Sequence, residues 1–235
     1  MPNISVDAWF FIILMILVII FSLVYPLLTN NKIIKKKKEF MTDDTYEIKE
    51  IDNFLTPEEC DYIMNISKDK LVTSRVYSED ADLVSDVRDS EQCWLKDDDE
   101  FMKKLSERIA EITDTKIEDQ EEFQVVRYKE GGYYRAHYDA CDWRKENCSR
   151  FEGDRGTRFI TFIMYLNDDF EGGETHFPMI DKKLVPKKGK AAIFYNTGED
   201  GKVLDKALHG GLDVKNGTKW ICNKWIRRKL NSELK

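Results

Sequence analysis

The chain predicts an α+β fold that is mainly β, a sandwich or jelly roll carrying packing helices on one face, behind an N-terminal transmembrane helix. Three observations carry this expectation. From Phe123 onward, short runs rich in β-branched and aromatic residues recur between Gly-rich turns, the texture of a sandwich or jelly roll. Ahead of them lie two amphipathic helical patterns. Ahead of those, Trp9 to Leu28 (WFFIILMILVIIFSLVYPLL) holds no charged residue.

That first run has the length, about 20 apolar residues, that crosses a bilayer as a helix. It has no polar face to offer water, so a buried core helix is a poor alternative. No basic residue precedes it and no small-x-small site follows, which favours an uncleaved anchor over a signal peptide. The domain plan is therefore a tail over 1–8, an anchor over 9–28, a basic and polar linker over 29–45, a folded domain over 46–230 with its core at about 121–228, and a tail over 231–235. At 235 residues the chain is long enough for one well-buried domain plus such an appendage. A net charge of -7 argues against nucleic acid as a default partner, because phosphate binding wants a basic face. Five cysteines without a Cys-x-x-Cys pair suggest neither a disulfide scaffold nor zinc.

Thr56-Pro57-Glu58-Glu59 is a capping box with Pro at the first helical position, so a helix is expected from there to about Ser67, with Cys60, Ile63, Met64 and Ile66 facing a sheet. A second helix is expected from Asp97-Asp98-Asp99 to about Thr113. Between them, Arg88 to Leu95 reads equally well as a surface salt bridge with a core anchor or as a substrate-contact loop. Beyond the helices the expected strands are Phe123–Tyr128, a run ending at His137-x-Asp139, the near-continuous apolar stretch Arg158–Leu166, Ala191–Tyr195, and a strand after His209.

His137-x-Asp139 is where chemistry enters. Two residues apart on a strand, imidazole and carboxylate project from the same face and can grip one metal ion. A further imidazole from a distant strand would complete a 2-His-1-carboxylate facial triad, whose open positions suit non-haem Fe(II) and oxygen. His176 and His209 are the remaining candidates. His176 reads as an ordinary strand side chain, whereas His209 leads into a strand carrying Lys219, Trp220 and Trp225. A lysine among aromatic and β-branched neighbours either snorkels to water or awaits a carboxylate.

These residues resemble the collagen-type prolyl 4-hydroxylases, within the Fe(II)- and 2-oxoglutarate-dependent dioxygenases. The resemblance runs from about Tyr46 to Arg228. It rests on Arg88-x-Ser90 with Trp94-Leu95, Gln124-Val-Val-Arg-Tyr128, Gly132-x-Tyr134-x-x-His137-x-Asp139, Arg158-x-x-Thr161 with Tyr165-Leu166, Gly172-Gly173-Glu174-Thr175, and His209 through Lys219-Trp220 to Trp225. It implies a double-stranded β-helix in which His137, Asp139 and His209 bind iron. It also implies that Lys219 pairs with the distal carboxylate of 2-oxoglutarate, helped by Tyr134 and Thr175, and that Arg88, Trp94, Tyr128, Arg158 and Trp225 line a peptide groove. Molecular oxygen is the second co-substrate, L-ascorbate the implied reductant, and a proline-containing peptide the implied partner. Leu212-Asp213-Val214 replaces the relatives' Cys-Pro-Val, Ala140 replaces an aromatic residue, and a charged insertion runs to Arg155; these departures bear on substrate choice and leave the iron ligands untouched. The rival readings are a same-fold oxygenase for another substrate and a membrane-tethered binding module without catalysis.

Topology divides the expectations. Lys35 to Lys38 follow the apolar run, which by charge bias keeps the large domain in the cytosol. Family resemblance favours the lumen of the endoplasmic reticulum. Sequons at Asn3, Asn65, Asn147 and Asn216 accord with the lumen, although Asn216 is expected to be hemmed in, and Cys141 with Cys148 would be able to close a disulfide there.

Overall fold

The computed structural model describes residues 41–77, 82–83, 86–141 and 155–229. The expected transmembrane helix over 9–28, the insertion carrying Asn147 and Cys148, and the C-terminal tail lie outside the described residues. Among the described residues no helix is long and apolar enough to cross a membrane.

In chain order the first half contains β1 (Lys49–Ile51), α1 (Pro57–Ser67), β2 (Val72–Thr73), β3 (Val76–Tyr77), β4 (Asp82–Leu83), β5 (Arg88–Asp89), β6 (Glu91–Leu95) and α2 (Glu100–Thr113). The second half contains β7 (Phe123–Tyr128), β8 (Tyr133–His137), β9 (Thr157–Tyr165), β10 (Glu171–Gly172), β11 (Thr175–Phe177), β12 (Lys182–Leu184), β13 (Ala191–Tyr195), β14 (His209–Gly211), β15 (Val214–Asn216) and β16 (Lys219–Arg228). A seven-stranded sheet has the order β1-β13-β9-β16-β7-β6-β2, and a five-stranded sheet the order β12-β11-β14-β8-β5. Pairing within both is antiparallel. This is the mainly β core of a double-stranded β-helix.

The larger sheet is buried on both faces, which explains why β9 reads as nearly unbroken apolar sequence. Phe162 and Met164 of β9, with Phe123 and Val125 of β7, pack in one cluster with Cys60 and Ile63 of α1 and Met102, Leu105 and Ile109 of α2. Ile163 and Tyr165, with Val126 and Tyr128, alternate to the other face and pack with Phe177, Leu184 and Phe194. Both helices are packing helices, as their stripes predict. Thr56 caps α1 through both bonds of its box, and Asp99 caps α2 by accepting from Met102 N.

Several expectations need correction. Arg88–Leu95 is not a loop: Glu91–Leu95 pairs along β7, because Cys93 and Leu95 have core to fill. Asp139 is not on the strand with His137 but in the bend that follows it. Asn216 is not hemmed in but exposed, at the mouth of a turn that Gly217 makes with φ +85°, whereas Asn65 is exposed on α1 as expected. Thr42 and Thr45, assigned to the linker, form a turn, and the neighbouring Asp43 accepts from Lys206 N at 3.0 Å.

Candidate active site

Pairing between β8 and β14 sets His209 directly opposite His137, so residues far apart in sequence meet with ring centroids 4.5 Å apart. Gly210 permits the approach, since a Cβ there would lie 2.7 Å from Tyr134 O. Asp139, in the bend after β8, brings Oδ1 within 3.5 Å of His137 Nε2 and Oδ2 within 3.6 Å of His209 Nε2. Ligand atoms of these side chains all lie within 4.8 Å of one another. His176 points its Nε2 elsewhere, 3.9 Å from Asp181.

Both histidines use the same local device. His137 Nδ1 lies 2.9 Å from Arg135 O and His209 Nδ1 lies 2.9 Å from Ala207 O. Each Nδ1 faces a carbonyl and so donates its proton there, which turns each Nε2 toward Asp139. Burial holds His209 down at about 4, against the pull of the Asp139 charge, so its contact with the carboxylate is that of a neutral ring. Burial works against the Asp139 charge too, yet its carboxyl is held well below the ordinary range, with the Arg158 charge among the causes. Neutral imidazole and ionised carboxylate are the forms that ligate a metal. The donor set therefore fits a divalent ion of the first transition row with positions left open.

Beside this cluster lies Lys219, 2 % exposed and opposite Tyr128 in the β16–β7 ladder. Its Nζ donates to Gly173 O at 2.6 Å and lies 5.1 Å from the centroid of the Tyr128 ring. Among the described residues no carboxylate stands within ion-pair distance of it. Burial pulls its pKa down to about 8, with the Glu174 charge opposing. Thr175 accepts from the buried Tyr165 hydroxyl at 2.9 Å, leaving its own proton free to donate. Tyr134 stacks on His137 at 3.6 Å, and burial pushes its phenol up to about 12.

The rest of the cavity leads outward. Arg88 donates to Ser90 Oγ at 2.8 Å and lies over the Tyr134 ring. Arg158 is held by both oxygens of buried Glu121, at 2.7 and 2.8 Å, and lies 3.7 Å above Trp225. Trp94, 41 % exposed, stands on the rim with its ring 5.8 Å from that of Trp225. All of the residues singled out from sequence, His137, Asp139, His209, Lys219, Tyr134, Thr175, Arg88, Trp94, Tyr128, Arg158 and Trp225, line one cavity of about 690 Å³. Sequence reasoning missed Glu121, which fixes Arg158 and also accepts from Arg227 Nε at 2.7 Å. It also missed Asn196. Cys141 on the cavity wall is disulfide-bonded, whereas Cys60, Cys93 and Cys222 are free and buried. The expected second half, Cys148, lies outside the described residues.

A jelly-roll core with two histidines and an aspartate at its mouth, and an unpaired buried cation behind them, defines the 2-oxoglutarate- and Fe(II)-dependent oxygenases as a class. Residues 123–227 match the model of the 2OG-Fe(II) oxygenase superfamily. Prolyl 4-hydroxylase 1 of Arabidopsis thaliana is 33% identical over 198 residues, covering 77% of this chain and 68% of that protein. The crystal structure of the viral collagen prolyl hydroxylase of Paramecium Bursaria Chlorella virus-1, solved with 2-oxoglutarate, is 33% identical; it covers 80% of this chain and 100% of that one at a TM-score of 0.65. A Pseudomonas putida prolyl-4-hydroxylase structure, 17% identical with a TM-score of 0.53, shares the fold. The chain belongs to the prolyl 4-hydroxylase family of the 2OG-Fe(II) oxygenases.

Proposed function

We propose that this protein hydroxylates prolyl residues of a peptide at C4, consuming 2-oxoglutarate and O2 and releasing succinate and CO2. The observation that carries the reading is the buried Lys219 ammonium with no carboxylate beside it among the described residues, adjacent to a histidine pair oriented by backbone carbonyls and an ionised aspartate. A lysine so placed needs an anion from outside the chain.

His137, Asp139 and His209 hold Fe(II). When bound, the iron supplies the activation of dioxygen that is coupled to oxidative decarboxylation of the 2-oxo acid. Lys219 binds the distal carboxylate of 2-oxoglutarate, with Thr175 donating its free hydroxyl proton and Tyr134 closing the side. Phe177 and Phe194, packed around His209 with ring centroids at 5.5 and 4.7 Å, keep water from the back of the site. Arg88, Tyr128, Arg158, Trp94 and Trp225 hold the peptide. Buried Trp225 Nε1 has no partner among the described residues and is free to donate to a peptide carbonyl. Ascorbate serves as reductant for iron oxidised in turnovers without peptide.

In this reading residues 9–28 anchor the domain to the membrane of the endoplasmic reticulum with the domain in the lumen. The disulfide at Cys141 supports an oxidising compartment. Protease treatment of sealed microsomes checks this: the domain survives until detergent is added, and digestion without detergent would put it in the cytosol. The activity itself is tested by incubating the enzyme with Fe(II), 2-oxoglutarate and a proline-rich peptide. Succinate and 4-hydroxyproline are expected, both lost with a chelator; succinate with no hydroxylated peptide would overturn the substrate assignment.

A further inference from the structure

Asp139 is met from behind by a short polar chain inside the apolar core. Thr161, 1 % exposed in the middle of β9, donates its hydroxyl to Asp139 Oδ2 at 2.7 Å. Asn196, also 1 % exposed and just past the end of β13, donates Nδ2 to Thr161 Oγ1 at 2.7 Å. The backbone of Asn196 is pinned on both sides, its N donating to Phe159 O at 2.8 Å and its O accepting from Leu204 N at 3.0 Å.

The direction of this chain is forced. An ionised carboxylate can only accept, a hydroxyl has one proton, and an amide nitrogen only donates. With Asn196 Nδ2 facing Thr161, the hydroxyl proton has a single acceptor, Asp139 Oδ2. Turning the amide over would give that one proton two competing acceptors. Asn196 Oδ1 is left buried without a partner among the described residues, a cost that the bond from Nδ2 to Thr161 offsets. Each carboxylate oxygen also faces one histidine, Oδ1 lying 3.5 Å from His137 Nε2 and Oδ2 3.6 Å from His209 Nε2, so the Thr161 bond fixes the rotation of the carboxylate between the two rings.

We propose that Thr161 and Asn196 are positioning residues that fix the orientation of the Asp139 carboxylate for metal ligation: the chain engages Oδ2 from behind and holds the carboxylate turned toward both histidine Nε2 atoms. This rests on the reading that His137, Asp139 and His209 hold Fe(II). A carboxylate free to rotate about its Cβ–Cγ bond would present its oxygens to the histidine pair in no fixed orientation. Residues that orient a ligand in this way set metal affinity without touching the metal.

The test is titration of the full chain with Mn(II), following free Mn(II) by electron paramagnetic resonance, with no co-substrate and no turnover. Thr161→Val keeps the shape and removes the proton, and is expected to weaken Mn(II) binding by about 10- to 100-fold. Thr161→Ser restores the hydroxyl and binds as the unsubstituted protein does. Asn196→Ala weakens binding less. The Thr161→Val/Asn196→Ala double variant binds no more weakly than Thr161→Val, because the amide acts only through the hydroxyl. Unchanged affinity in Thr161→Val, or an Asn196→Ala loss that adds in full to that of Thr161→Val, would overturn the proposal. If Thr161→Val does not fold, Asn196→Ala against the unsubstituted protein decides. Absence of binding in the unsubstituted protein, or equal binding by His137→Ala, would instead remove the metal centre itself and the proposal with it.

Discussion

The two ends of the cavity are built on opposite terms. At the inner end every ligating group has a fixed partner: each imidazole donates to a carbonyl two residues back, Asp139 accepts from Thr161, and Lys219 donates to Gly173 O. At the outer end Arg88 and Arg158 are held too, but other groups are waiting. Trp225 Nε1 and Asn223 Oδ1 are buried and unpartnered among the described residues, and Trp94 is 41 % exposed. The inner end is pre-organised for ligands of one fixed chemistry, and the outer end is completed by whatever peptide enters. A rigid reaction centre joined to an unfinished recognition surface lets specificity change without disturbing the chemistry.

The comparison is broken most severely at the inner end. His137→Ala, Asp139→Ala or His209→Ala should each lower turnover by about 10³-fold or more, since each removes a metal ligand. His176→Ala should bind Mn(II) like the unsubstituted protein. Loss of metal in that variant would show that the ligand set is wrong.

Next in size is Lys219→Ala, which removes the partner of a buried carboxylate at a cost of about 2 to 5 kcal/mol in 2-oxoglutarate binding and little in peptide binding. The same lysine gives a pH signature. Its ammonium is the form that attracts the dianion, and in the ligand-free site it is present below about 8. Affinity for 2-oxoglutarate is therefore full below that pH and declines above it, toward about tenfold per pH unit. Calorimetric titration across this range should show the decline in the unsubstituted protein and a flat profile in Lys219→Ala.

Why the inner end was so legible in sequence follows from its construction. His137-x-Asp139 and the run from His209 to Trp225 are short motifs whose residue types are rare in strands unless something needs them, and a buried lysine asks for an anion on any reading. The two helices were legible from caps and stripes. What the sequence hid is what only pairing reveals. Arg88–Leu95 looks polar, yet its alternate residues Cys93 and Leu95 fill core once β6 lies beside β7. Glu121 and Asn196 sit just outside strands, where acids and amides are ordinary, and only the fold puts them behind Arg158 and Asp139. Thr161 did leave a trace: a hydroxyl in an otherwise apolar central strand must find a partner.

The outer end gives smaller effects. Arg158→Ala should raise the peptide KM by about 10- to 100-fold and leave Mn(II) affinity unchanged, because the guanidinium is oriented by Glu121 and has no part in the ligand set. Glu121→Ala should act through stability, at about 3 kcal/mol, by stranding the largely buried Arg158 and the buried Arg227 without their shared carboxylate; denaturant unfolding measures it. Trp94→Ala, on the rim, should cost about 1 kcal/mol in peptide binding.

The separateness of the two ends is tested most directly by one set of titrations with Mn(II) in place of Fe(II), measuring 2-oxoglutarate and peptide binding to Lys219→Ala and Arg158→Ala side by side. A crossed pattern is predicted: Lys219→Ala weakens 2-oxoglutarate alone, and Arg158→Ala weakens the peptide alone. If both variants weaken both ligands alike, the cavity works as one indivisible site and the division drawn between its ends is wrong.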